Sequence, residues 1–178
     1  MKLYNNTSVP DEILAPVLKE AAKAIKGTRH GKVVVKVIRS REHCTGAVFG
    51  TSSVSRNFLN PRKYPNERSG YVATDDAVVI LRLPKAGDPI LWPAHTWREP
   101  LYIAERFFDY ALHEWGHVKD FQGEESFCHY RRRWANRPHE RRAEGYMLEA
   151  KERGFSESAQ MAIIDLAVYL ESEVKSKP

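Results

Sequence analysis

Residues 101–121 read LYIAERFFDYALHEWGHVKDF, and this segment constrains the fold more than any other in the chain. It contains no proline and one glycine, and apolar residues fall on most sides of a helix built from it. A helix apolar on most sides must be covered on most sides, so the segment predicts a buried helix with other layers around it. The same helix carries His113 and His117, with Glu114 directly after the first. Residues four apart stand one above the other on a helix face, so both imidazoles can grip one Zn2+ with the Glu114 carboxylate beside them. Neutral imidazoles suit zinc at ordinary pH, and a carboxylate next to the metal can take the proton from a water that attacks a carbonyl. Gly116, between the two histidines, costs a helix roughly 1 kcal/mol against Ala and removes bulk where another part of the site can come close.

The rest of the chain predicts a single domain over residues 1–178, a length that suits one sizeable core. Residues 10–26 have Leu14, Leu18, Ala21 and Ile25 at helical spacing, with Pro16 against the pattern and Gly27 able to end it. The β-branched run KVVVKVI at 32–38 predicts a strand, residues 47–49 a short one, and AVVILRL at 77–83 a buried one. Residues 55–70 predict a loop, and 84–100 a connection rich in Pro and Trp. After the histidine helix comes a basic, aromatic-containing connection at 122–137. Two more helices follow, 138–153 with Pro138 in its first turn, and 156–175 with a stripe of Ile163, Ala167, Leu170 and Val174. Strands first and helices after predict an α+β fold, with a small mixed sheet on the histidine helix and further helices towards the C-terminus. No apolar run reaches the roughly 18 residues of a membrane span, and residues 1–18 do not read as a signal peptide. The two cysteines, Cys44 and Cys128, make no disulfide framework. The expectation is a cytoplasmic protein with reduced thiols and no membrane partner.

HEWGH fits HExxH, and the chain here resembles the zincin metallopeptidases, hydrolases whose active-site helix carries that motif. The resemblance spans about the central third of the chain, residues 101–151. It implies a compact mixed sheet packed on the HExxH helix, an edge strand that binds extended peptide substrate, Zn2+ as cofactor, and Glu114 as general base towards a zinc-bound water. Zincin subfamilies differ in their third ligand. The metzincin continuation would need Gly at Asp120 and a ligand at Gly123, so it fails, and Cys44 in EHCTG is a poor match to the cysteine segment of peptide deformylases. In gluzincins the third ligand is a Glu on the next helix. This chain has HERRAE there, with Glu140 and Glu144 one turn apart and the small Ala143 between them. The gluzincin-like reading makes Glu140 the ligand and Glu144 its outer partner, bonded to a ligand imidazole, and the reverse order is one helical turn away. His139 and Tyr146 are candidates for stabilising an oxyanion.

Two alternatives use the basic connection. DNA-repair proteases of the SprT type take a third histidine after the HExxH helix, and His129 in SFCHYRRRW lies in that region. Tyr130, Arg131, Arg132, Arg133, Trp134, Arg137, Arg141 and Arg142 surround it, and such residues can contact phosphates and stack on bases. The net charge of +5 permits a nucleic-acid partner without arguing for it, and a peptide or protein substrate is favoured. A non-catalytic zinc protein is the other alternative, with Cys128 or His129 as a fourth protein ligand closing the site. Glu140 is preferred as third ligand because a helix holds ligand geometry better than a loop.

Overall fold

The β-branched run at 34–38 is the middle of the structure. In a computed structural model, which describes residues 1–28, 33–38, 46–50, 77–84, 89–90, 95–96, 99–122 and 138–175, it forms strand β2, Val34–Ile38. Around it lie β1 (Lys2–Asn6), β3 (Gly46–Gly50) and β4 (Ala77–Arg82), in the sheet order β1-β2-β4-β3. β1 and β4 run parallel to β2, with Lys2 opposite Val34 and Val34 opposite Val78. β3 runs antiparallel to β4, with Val48 opposite Val79. Two two-residue strands, β5 (Pro89–Ile90) and β6 (His95–Thr96), pair within the predicted connection at 84–100.

Strand geometry sends alternate side chains to opposite faces, so Val33, Val35 and Val37 of the β2 segment share a face with Val79, Leu81 and Leu83. All six are buried in one apolar cluster with α1 (Asp11–Ala24), α2 (Pro100–Gln122) and α4 (Glu157–Lys175). α2 is the hub. It packs against β4 and β3 on the sheet side and against α1, α4 and α3 (Pro138–Glu152) elsewhere. Ile103, Phe107, Phe108, Leu112, Trp115 and Val118 are all at most 1% exposed, which is the burial on most sides that the sequence requires. The expected mixed α+β architecture is present, with three parallel strands, one antiparallel strand and four helices among the described residues. No helix among these residues is long and apolar enough to cross a membrane.

α1 tolerates Pro16 because the bond it cannot donate would end on the carbonyl of Glu12, and both residues are exposed. α3 stops at Gly154, whose φ of 75° suits the left-handed turn and whose N–H reaches the carbonyl of Lys151 at 3.0 Å. α3 is thinly anchored by apolar groups. Among its described residues, Ala143 and Ala150 are the buried hydrophobics, with Tyr146 and Met147 partly covered. A buried methyl contributes roughly 0.8 kcal/mol, so these two alanines hold the helix weakly.

Two expectations need correction. β1 is absent from the sequence reading, because KLYNN is short, half exposed and carries two Asn, which disfavour strands. In α4 the buried set is Ala159, Ala162, Ile163, Leu166, Ala167 and Leu170, whereas Val174 is 47% exposed. The last turn of α4 runs past the layer that covers Leu170, so the apolar stripe stops one turn early. The predicted loop at 55–70, both cysteines and residues 123–137, including His129, lie outside the described residues.

Truncation of Leu166, fully buried where α4 meets the core, should cost about 2–5 kcal/mol of unfolding free energy. Urea unfolding of Leu166→Ala checks this, and a loss below about 1 kcal/mol would contradict the placement of α4.

Candidate metal centre

The face of α2 that meets α3 is set by helical periodicity. Asp109, His113, His117 and Asp120 follow one another at spacings of four, four and three, with Gly116 three residues after His113, so they form one stripe. Where the helices come closest, Gly116 faces Ala143. A Cβ added at Gly116 would stand 2.7 Å from the carbonyl oxygen of Ala143 and 2.9 Å from its Cα, too close for any side chain. The glycine therefore lets the first turns of α3 approach the histidines, and Glu140 is one turn before Ala143 on the same side.

Three donor atoms converge at this point. The Nε2 atoms of His113 and His117 are 3.1 Å apart, with their rings nearly perpendicular at 89°. Oε2 of Glu140 is 3.3 Å from each Nε2. Tetrahedral zinc with bonds of about 2.0–2.1 Å holds its donors about 3.3–3.4 Å apart, so the triangle already has the size such an ion needs. Two imidazole nitrogens this close repel each other unless a proton or a cation lies between them, and the carboxylate favours the positive occupant. These three residues form a metal-capable group within the described residues. The His117 side chain is 7% exposed, that of His113 27% and that of Glu140 39%, so the cluster is buried on one side and open on the other.

Glu114 completes the picture from the buried side. It is 5% exposed, and its Oε2 has no hydrogen-bond partner among the described residues. Burial, and then the neighbouring Glu140 charge, push its carboxyl up to about 8. An unpartnered buried carboxylate costs free energy that a cation beside it would offset, which is a second and independent sign that the donor set fits a metal ion.

Of the sequence-predicted site residues, His113, His117 and Glu140 are thus brought together, and Glu114 lies beside them. Glu144 is exposed and makes no bond to either histidine among the described residues. Tyr146 is half-buried, and its ring takes the ammonium of Lys119 at 4.0 Å from the ring centre. Local sequence patterns do not mark two further residues that adjoin the site. Asp120 and Arg142 form a two-pronged ion pair between α2 and α3. The available signal was an acid one turn beyond His117 and a base two residues beyond Glu140, which has meaning only once the two helices are paired. Set against known proteins, the chain matches no family model, no curated protein and no solved structure.

Two outcomes follow from this geometry. Gly116→Ala should lower stability and weaken metal binding by pushing α3 away, although Ala is the better helix former. Gly145→Ala, with nothing within 4 Å of the new Cβ, should instead gain about 1 kcal/mol. Thermal unfolding of the pair checks it, and a stabilised Gly116→Ala would contradict the close approach. The second outcome concerns pH. In the metal-free folded chain Glu114 binds its proton more tightly than in the unfolded chain, where the ordinary value is 4.5. The stability that this proton confers is complete below pH 4.5 and is lost as pH rises through about 8. Metal-free Glu114→Gln should therefore gain on wild type between pH 5 and pH 9 by at least about 1 kcal/mol, seen as about 2–4 °C in Tm. A difference independent of pH would contradict the assigned burial.

Proposed function

We propose that this protein is a zinc metallopeptidase of the zincin, gluzincin-like type, which hydrolyses peptide bonds in a peptide or protein substrate. The observation that carries the proposal is the convergence of His113 Nε2, His117 Nε2 and Glu140 Oε2 on one point, with the carboxylate of Glu114 beside it. Zn2+ held by these three would polarise the scissile carbonyl and lower the pKa of a water molecule towards about 7. Glu114 takes the proton of the attacking water and passes it to the leaving amine, so the carboxylate is regenerated in each cycle. Its buried position suits this role, because burial makes a carboxylate a stronger base towards the proton of the water. His113 and His117 keep their Nε2 lone pairs for the metal, which leaves Nδ1 of each as the protonated nitrogen. Glu144 is the candidate outer partner only if its exposed side chain turns inward when metal binds.

The sheet supports the same reading. β3 ends the sheet order and packs near α2, so it can serve as the edge strand that the zincin resemblance expects to bind extended substrate. The SprT-type alternative, with His129 as third ligand and nucleic acid as partner, is disfavoured because Glu140 already fills the third corner of the donor triangle. Three protein donors meet among the described residues, the number that the metallopeptidase reading requires.

The purified protein should carry close to one zinc per chain and cleave members of a broad peptide library. Glu114→Gln should keep the metal and lose activity by about 10²–10⁴-fold. His113→Ala with His117→Ala should abolish metal binding. Stoichiometric zinc in the double-histidine variant, or full activity in Glu114→Gln, would sink the proposal.

A further inference from the structure

Glu140 is the third residue of α3, and the first turn of a helix is where backbone N–H groups lack intrahelical partners and fraying is easiest. The apolar hold on α3 is slight, so polar contacts must keep that turn in place. Arg142 does so from two residues away. Its Nε donates to Asp120 Oδ1 at 2.5 Å and its Nη2 to Asp120 Oδ2 at 2.8 Å, a guanidinium fork on a carboxylate. This geometry fixes direction as well as distance, unlike a point charge such as Lys. The Asp120 side chain is 7% exposed and that of Arg142 36%, so solvent screens the pair only in part. Asp120 lies one turn after His117 on the same face of α2. The pair therefore ties the turn that carries His117 to the turn that carries Glu140.

A second tie joins the same helices at the other end. Lys151 Nζ is 2.8 and 2.9 Å from the two carboxylate oxygens of Asp109. Eleven residues, about 16 Å of helix, separate Lys151 from Glu140. That tie fixes the far end of α3 and leaves its first turn free to pivot about the contact at Gly116. On the metal side the Asp120–Arg142 pair restrains the pivot together with the contacts of Glu140 itself to the two histidines.

We propose that the Asp120–Arg142 pair is the positioning device of the third metal ligand: it sets the first turn of α3 so that Glu140 closes the triangle with His113 and His117. The proposal rests on the metal-binding reading of those three residues. Asp120 and Arg142 are positioning residues that act through Glu140.

Zn2+ affinity of the full chain, measured by competition with a chelating indicator, tests this together with Co2+ absorption spectra. The chains compared are wild type, Asp120→Asn, Arg142→Lys, Glu140→Ala, and each clamp variant combined with Glu140→Ala. Asp120→Asn and Arg142→Lys should each weaken Zn2+ binding by about 10–100-fold, the range expected of residues that orient a ligand, and lower the intensity of the tetrahedral Co2+ bands. In the Glu140→Ala background the same changes should cost less than about twofold, because the ligand they position is gone. General destabilisation would cost the same factor in both backgrounds, so the coupling separates the two explanations. Equal losses in both backgrounds, or unchanged affinity in both single variants, would overturn the clamp while leaving the metal site intact. Should Asp120→Asn fail to fold, Arg142→Lys carries the test, because it keeps the charge at a one-third exposed position and removes only the fork. Wild-type protein that takes up no zinc would overturn the metal reading and the clamp with it.

Discussion

The backbones of α2 and α3 meet at Gly116 and Ala143 with no side chain between them, and the candidate centre depends on that contact. A side chain at Gly116 would hold α3 off by the width of a methyl group, and Glu140 would leave the reach of both imidazoles. Gly116 is unfavourable inside a helix by roughly 1 kcal/mol, so local helix stability is given up for proximity. The opposite face of α2 compensates. Trp115, Phe107 and Phe108 are buried there, and large aromatic side chains contribute far more to the core than one glycine costs. One helix thus combines a deeply anchored face with a face stripped down for close approach.

The electrostatics of the centre point the same way. Two imidazole nitrogens and the Glu140 carboxylate lie within 3.3 Å of one another, and the neighbouring Glu114 is buried with an oxygen that finds no partner among the described residues. Such a group is strained without a positive charge and relieved by one. Asp120 shows the contrast. It is buried at a similar level on the same helix, but the Arg142 guanidinium meets it with two hydrogen bonds. Of the two buried acids on α2, one is neutralised by the chain itself and the other stands beside the donor triangle, where an ion would neutralise it.

How much of this is legible in the sequence follows from which signals are local. The histidine pair is legible because i,i+4 spacing on an apolar, proline-free segment admits one arrangement. β2 and β4 are legible because their β-branched runs are buried, and both end within a residue or two of the expected limits. β1 is not, because its strand character comes from parallel pairing with β2 and not from its own side chains. Glu140 and Glu144 are equivalent in sequence, one turn apart. The position of α3 along its own axis distinguishes them, and that position is fixed by Ala143 against Gly116 and by Arg142 on Asp120. The ion pair joins residues 22 apart across a connection, so no local pattern announces it.

In the proposed centre, two imidazoles and one carboxylate would hold a metal with a coordination position left open. X-ray absorption spectroscopy of the zinc-loaded full chain tests it most directly. The expected result is a four-coordinate shell of nitrogen and oxygen at about 2.0 Å, with outer-shell scattering from two imidazoles and no sulfur at about 2.3 Å. A sulfur scatterer, which would bring in Cys128 or Cys44, or the signature of three imidazoles, would contradict it.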